Sequence, residues 1–241
     1  MILYGRNPVR EALRGRRSSA VTEIWATAGA AKEPWLQGVR VREASAEEIE
    51  RRCGSGAHQG ICADAGGYPY VGAGELLSLE QPLLVALDQV QDPQNLGSIC
   101  RTAECAGAAG VIIPERRSAE VTPAVCKASA GAVEHLRIAR VRNLADFLDD
   151  ASKEGCWRYG ASAGGSEPGE RRAVPYDQPD YSGSGVVLVL GSEGSGLRPR
   201  VAAACDELIA LPLLGRMESL GVSAATAALL YEILQIRSQK S

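Results

Sequence analysis

Three short stretches of the 241-residue chain carry residue types and spacings that could do chemistry. The turn Gly191-Ser192-Glu193-Gly194-Ser195-Gly196 sets one carboxylate, Glu193, among uncovered backbone N–H groups. It contains neither GxGxxG nor GK[ST], so it does not read as a dinucleotide or Walker loop. Its bare backbone suits recognition of an adenosyl group through main-chain hydrogen bonds. As a structural residue, Glu193 would place charge at the start of a following helix, favourably against its dipole. The second stretch, Gly215 to Ser219, brings polar residues to the start of a long apolar run, with Ser219 as a natural N-cap. The third is Asp88 to Arg101, DQVQDPQNLGSICR. Asn95 there serves equally as a helix cap or as a positioning amide. Arg101 suits bidentate phosphate binding or a surface ion pair.

The elements around these stretches predict where they lie. Val186 to Leu190 is a continuous apolar run bounded by Gly185 and Gly191, as in a fully buried parallel strand. Leu208 to Leu213 is a second short apolar run, closed by Pro212 and Gly215. Leu220, Ala224, Ala227, Tyr231 and Leu234 recur at helical spacing and predict the apolar face of a last helix. Strand, loop and helix alternate from residue 83. Leu83–Leu87, Val111–Ile113, Leu136–Val141 and Trp157–Ala161 read as strands. Leu96–Ala106, a segment capped by Thr122, and Leu144–Lys153 read as helices, and residues 162–184 as loop. Such alternation implies an α/β domain with a parallel sheet, in which ligands bind at the carboxyl ends of the strands.

Residues 1–65 read as a smaller α/β unit and 66–82, rich in Gly and Pro, as a flexible linker with one helical turn, leaving 83–241 as the larger domain. In the small unit, Pro8–Arg14 reads as a helix capped by Asn7. Ser45 to Glu48 has the form of a capping box. Arg6, Arg10 and Arg14 stand four apart, a stripe that could meet RNA phosphates or simply be solvated. A net charge of −3 gives no sign of a nucleic-acid binder in bulk, so any RNA contact requires basic residues gathered on one face. Seven cysteines without CxxC spacing read as reduced thiols of a cytoplasmic protein. His58 and His135 lie too far apart in sequence to suggest a metal site, and no apolar run has bilayer-spanning length.

LVLGSEGSGL, IALPLLGRMESLGVSAATAALLYEI and LDQVQDPQNLGSICRTAECAGAAGVII resemble, in order and spacing, the three motifs of the SpoU (TrmH) family of RNA 2′-O-ribose methyltransferases. The start YGRNPVREALRG and the sequence AHQGICA resemble the substrate-binding domain of its RlmB-like members. The resemblance implies a Rossmann-like SPOUT domain with a C-terminal trefoil knot, preceded by a small ribosomal-protein-like domain. It implies S-adenosylmethionine as cofactor, RNA as substrate, most closely a guanosine of 23S rRNA, and a homodimer. A tRNA ribose or an antibiotic-resistance position in rRNA is the other target, and a non-catalytic RNA-binding homologue the other class. By the same resemblance Asn95, Arg101, Glu193 and Ser219 are catalytic or RNA-positioning residues, and Gly191, Leu211 and Leu220 contact the cofactor. Gly221 stands where the family usually has asparagine.

Overall fold

Strands that are apolar at every position, not at alternate ones, need cover on both faces. Three strands of the larger sheet, over Leu83–Asp88, Gly110–Pro114 and Val186–Gly191, are close to this pattern. The structure is a computed structural model and describes residues 1–162, 172–192, 194–217 and 219–239. The first elements in chain order are β1 (Ile2–Tyr4), α1 (Arg6–Arg14), β2 (Glu23–Ala26), β3 (Arg42–Glu43), α2 (Ala46–Cys53) and β4 (Ile61–Asp64). Then come α3 (Ala73–Leu77), β5 (Leu83–Asp88), α4 (Pro93–Cys105), β6 (Gly110–Pro114), α5 (Pro123–Ala128), β7 (Ile138–Val141) and α6 (Leu144–Lys153). The last are β8 (Trp157–Ser162), β9 (Val174–Pro175), β10 (Val186–Gly191), α7 (Pro199–Ala203), β11 (Glu207–Ala210) and α8 (Val222–Gln239).

The chain divides into two compact units. The first comprises Met1–Pro69 and, from much later in the sequence, Glu120–His135. Its sheet runs β1-β4-β2-β3, antiparallel except for the β2–β3 pair. Ser45 caps α2 by accepting from the Glu48 N–H. The helix α1 begins at Arg6 behind Gly5, with no side-chain cap, so Asn7 lies inside the helix and is not its cap. Residues 120–135 are fixed here by a fully buried ion pair. Arg17 Nε donates to Glu134 Oε2 at 2.9 Å, and both side chains are out of solvent. Tyr68 Oη donates to the Val133 carbonyl at 2.9 Å, and Lys127 Nζ donates to Gln59 Oε1 at 2.9 Å. His58 Nδ1 accepts from the Gly60 N–H at 3.0 Å, which closes the turn into β4. The His58-Gln59-Gly60 sequence thus has a structural use.

The second unit comprises Tyr70–Ala119 and Leu136–Ser241. Its seven strands run β7-β6-β5-β10-β8-β11-β9, every pairing parallel. The strands β5 and β6 are buried throughout, and so is β10 up to Gly191. Residues 71–79 are not a flexible tether: Leu76 and Leu77 are buried in this unit's core, and Val71 bridges to Ala139. Within the stretch expected to be loop, β9 adds a short edge strand.

Two helix starts of the second unit also differ from the sequence reading. The cap of α4 is Asp92, which accepts from the Gln94 N–H at 3.0 Å, so Asn95 is already helical. Pro93 at the first position fixes that start, because its φ suits a helix and it has no N–H to satisfy. The helix α8 begins at Val222, and the Ser219 hydroxyl accepts from the Gly221 N–H at 3.0 Å in the preceding turn. The buried face of α8 also differs. It is Val222, Thr226, Leu229, Leu230 and Ile233, whereas Leu220 (53% exposed) and Tyr231 (50%) lie outside it. Apolar residues surround this helix almost all round, so spacing alone did not select the inward face. Thr226 can face inward because its hydroxyl donates to the Val222 carbonyl at 2.6 Å. Beyond the core, Arg237 donates to the carbonyls of Gln81, Tyr181 and Ser184 at 3.1, 3.0 and 2.7 Å, pinning the helix end.

Candidate functional site

Because every pairing in the larger sheet is parallel, its strands present their carboxyl ends along one rim. The strand β10 delivers Gly191 there. The chain then turns tightly: the Ser192 N–H donates to the Gly196 carbonyl at 3.2 Å, and the Gly196 N–H returns to the Ser192 carbonyl at 3.0 Å. A Cβ on Gly191 would collide with the Gly196 and Leu197 backbone, so the closed turn requires glycine at that point. The segment after β11 lies opposite. Together they enclose a cavity of about 260 Å³, lined among others by Leu190, Gly191, Leu211, Leu213, Ser219 and Leu220. No charged side chain is among its described lining residues. Apolar walls with glycine and serine backbone at the edge suit a flat, polar-edged heteroaromatic group such as a purine.

Gly221, also at this cavity, has φ 78°. Glycine and asparagine are the two residue types that enter this left-handed region at low cost, so glycine here keeps the backbone that an asparagine would have.

A neighbouring cavity of about 350 Å³ shares Ser192 and Val222 with the first and is lined by Asn95. Asn95 Oδ1 accepts from the Ser223 hydroxyl at 2.8 Å, which ties α4 to the start of α8. Arg101 lines neither cavity and is exposed. Six residues along a helix is about 120° away around its axis, so one copy of α4 does not aim both side chains at one point. Glu193 lies outside the described residues.

The arginine stripe of α1 is partly engaged. Arg6 pairs with Glu33 and Arg10 with Glu11, each at 2.7 Å, while Arg14 is exposed. Sequence reasoning passed over a different set. Arg116, Arg117, Arg142, Arg198 and Arg200 line a cleft of about 710 Å³ along the carboxyl ends of β5, β6 and β7. Arg116 and Arg117 follow β6 almost directly and Arg142 follows β7, so their place after apolar runs was the available signal. Among the described residues no cluster of His, Cys, Asp and Glu could hold a metal ion, and no helix is long and apolar enough to cross a membrane.

Comparison with known proteins places this geometry among relatives. Residues 82–231 match the family model described as "SpoU rRNA Methylase family", and residues 2–71 match "RNA 2'-O ribose methyltransferase substrate binding". The 23S rRNA (guanosine-2'-O-)-methyltransferase RlmB of Pseudomonas syringae is 38% identical over 99% of this chain and 96% of its own length. Bacillus subtilis YacO, named for the TrmH family of tRNA/rRNA methyltransferases, is 35% identical over 98% of this chain and 96% of its own. The AdoMet-bound rRNA methyltransferase of Sinorhizobium meliloti superposes with a TM-score of 0.77 at 27% identity, covering 97% of this chain and 86% of that one.

Proposed function

The chain belongs to the SpoU rRNA methylase family and is an S-adenosylmethionine-dependent RNA 2′-O-ribose methyltransferase, and from that premise we propose that its target is a guanosine of 23S rRNA. The observation that carries the reading is the cavity at the ends of β8, β10 and β11, built by the glycine turn and the segment before α8. Its neutral lining fits an adenosyl group, and Gly191 permits the tight turn that forms one wall. Support for the rRNA target is the near full-length similarity to the Pseudomonas enzyme. The double wording of the Bacillus relative's name keeps a tRNA ribose as the second reading.

S-Adenosylmethionine, when bound, supplies a methyl group activated on a sulfonium. The chain's own residues supply alignment and electrostatics. Gly191, Leu211 and Leu220 would hold the donor, which would supply its methyl to a ribose 2′-hydroxyl whose proton is released to solvent or a nearby base. Arg101 offers a planar fork of N–H donors that matches phosphate oxygens. Its work is to hold the neighbouring phosphate and stabilise charge developing on the ribose oxygen. Asn95, fixed by Ser223, positions the ribose. Ser219, at the cavity wall, holds the turn before α8 in place. Glu193 is assigned to orienting the substrate. The exposed Arg14, with Arg6 and Arg10 once released from their carboxylates, gives RNA a first contact.

The working protein is a homodimer in the cytoplasm. The exposed apolar side chains Leu214, Met217, Leu220 and Tyr231 need cover, and Arg101, remote from its own chain's cavities, can reach a partner's. The same reading takes the chain from β10 to α8 as a trefoil knot, supported by the two segments that close on one cavity.

Labelled-methyl transfer to a 23S rRNA transcript, with the product mapped by nuclease digestion and mass spectrometry, tests the reading. A single 2′-O-methylguanosine is expected. Arg101→Ala is expected to lower kcat/KM by at least about a hundredfold with cofactor affinity held within a few-fold. Near wild-type transfer by that variant would remove Arg101 from the mechanism, and label on tRNA alone would move the target.

A further inference from the structure

Five arginines line the cleft at the ends of β5, β6 and β7. Arg198 and Arg200 are engaged: Arg198 Nε donates to the buried carboxylate of Asp88 at 2.7 Å, and Arg200 meets Asp146 at 2.5 Å. Arg116, Arg117 and Arg142 are exposed and, among the described residues, their guanidinium groups have no hydrogen-bond or ion-pair partner. Three cations without a partner among the described residues, around a cleft whose acidic lining residue Asp146 already pairs with Arg200, repel one another. A globular surface has no structural reason to gather them, whereas a polyanion does.

The loop that presents two of them is held fixed. The Glu115 N–H donates to the Val141 carbonyl at 2.9 Å, and Arg140 Nη2 donates to the Glu115 carbonyl at 3.2 Å. At the other end the Ala119 N–H donates to the Val90 carbonyl at 2.9 Å. Between these anchors Arg117 sits at φ 57°, in the left-handed region. Gln89, on the adjacent strand end and lining the same cleft, has φ 62°. Both are non-glycine residues in a costly conformation, held on one rim by the surrounding backbone. The cleft lies on the carboxyl rim that also carries the cofactor cavity. Gln89 lines both the cleft and the Asn95 cavity, which makes the three sites neighbours in one row.

We propose that this cleft is the track for the RNA backbone on the methyltransferase unit, with Arg116, Arg117 and Arg142 contacting phosphates that flank the target nucleotide. The inference rests on the reading of the chain as an RNA methyltransferase and names residues of that substrate's path. Arginine forks meet phosphate oxygens in pairs, so the row fixes the strand's register as well as its affinity. Arg198, braced by Asp88, forms the rigid wall of the cleft.

The test is a salt series of binding by the full chain to a 23S rRNA transcript, comparing wild type, Arg116→Gln/Arg117→Gln/Arg142→Gln and the matching triple lysine variant. Each phosphate contact contributes about 0.7 to the slope of log affinity against log salt on single strands, so the glutamine variant is expected to lose about 2. The lysine variant is expected to keep the slope and lose affinity only modestly. Melting temperature and S-adenosylmethionine affinity are expected to stay at wild-type values in both. An unchanged slope in the glutamine variant overturns the proposal, as does a slope lost equally with lysine. Selective loss of binding to an acidic protein, with RNA binding intact, would also overturn it. If wild type binds RNA with the predicted arginine dependence yet transfers no methyl, the functional reading fails and the track stands. If transfer is intact and the slope does not move, the track alone fails.

Discussion

Two sets of arginines, one in each unit, are held in opposite ways. In the first, Arg6 and Arg10 lie against Glu33 and Glu11, and Arg17 is buried on Glu134. In the second, Arg116, Arg117 and Arg142 stand around a cleft without acidic partners among the described residues. Spacing made the first set conspicuous, four residues apart on one helix. Pairing makes the second set available. A row of basic residues in a sequence therefore says less about a polyanion site than the count of carboxylates that fold against it.

The largest effect that would break this contrast is on stability. Glu134→Gln leaves the Arg17 guanidinium buried without its counter-charge and is expected to cost about 3–5 kcal/mol, read by chemical denaturation. Replacing both partners with apolar residues, Arg17→Met with Glu134→Leu, is expected to recover most of that loss. A Glu134→Gln protein of wild-type stability would show that Arg17 is not a structural residue. The smallest expected effect concerns the stripe. Arg6→Ala with Arg10→Ala is expected to weaken binding to rRNA by no more than about threefold, because each charge already faces a carboxylate and surface pairs are worth about 1 kcal/mol or less. A loss larger than that of the Arg116/Arg117/Arg142 variant would reverse the comparison and make α1 the main RNA contact.

Much of the second unit was legible because its central strands are short, nearly continuous apolar runs. The buried runs from Leu83 and from Val186 became β5 and β10. Leu144–Lys153 became α6 with the predicted bounds, its Asn143 side chain capping the Ala145 N–H. Of the two stretches singled out, Gly191, Ser192, Gly194 and Gly196 of the first and Ser219 of the Gly215–Ser219 stretch line one cavity, together with Leu211 and Leu220. Other features depend on tertiary contacts that no local pattern carries. Residues 120–135 read as one more helical step of the larger domain, yet a buried ion pair 117 residues apart in sequence fixes them in the first unit. The inward face of α8 is chosen by what it packs on, and a threonine with an intrahelical hydrogen bond is as acceptable there as a leucine. Asp92 outcompetes Asn95 as cap because Pro93 sets where the helix can begin. Gly221 matched no family pattern, but its positive φ explains how glycine can stand in for asparagine.

The central claim is that the methyl donor and the RNA share the carboxyl rim of one sheet. A crystal structure of the full chain with S-adenosylhomocysteine and a short rRNA fragment tests it most directly. The account predicts the adenosyl group between Gly191 and Leu220, with backbone phosphates against Arg116, Arg117 and Arg142. The nucleoside on any other surface, or an RNA strand that leaves those three guanidinium groups in solvent, would contradict it.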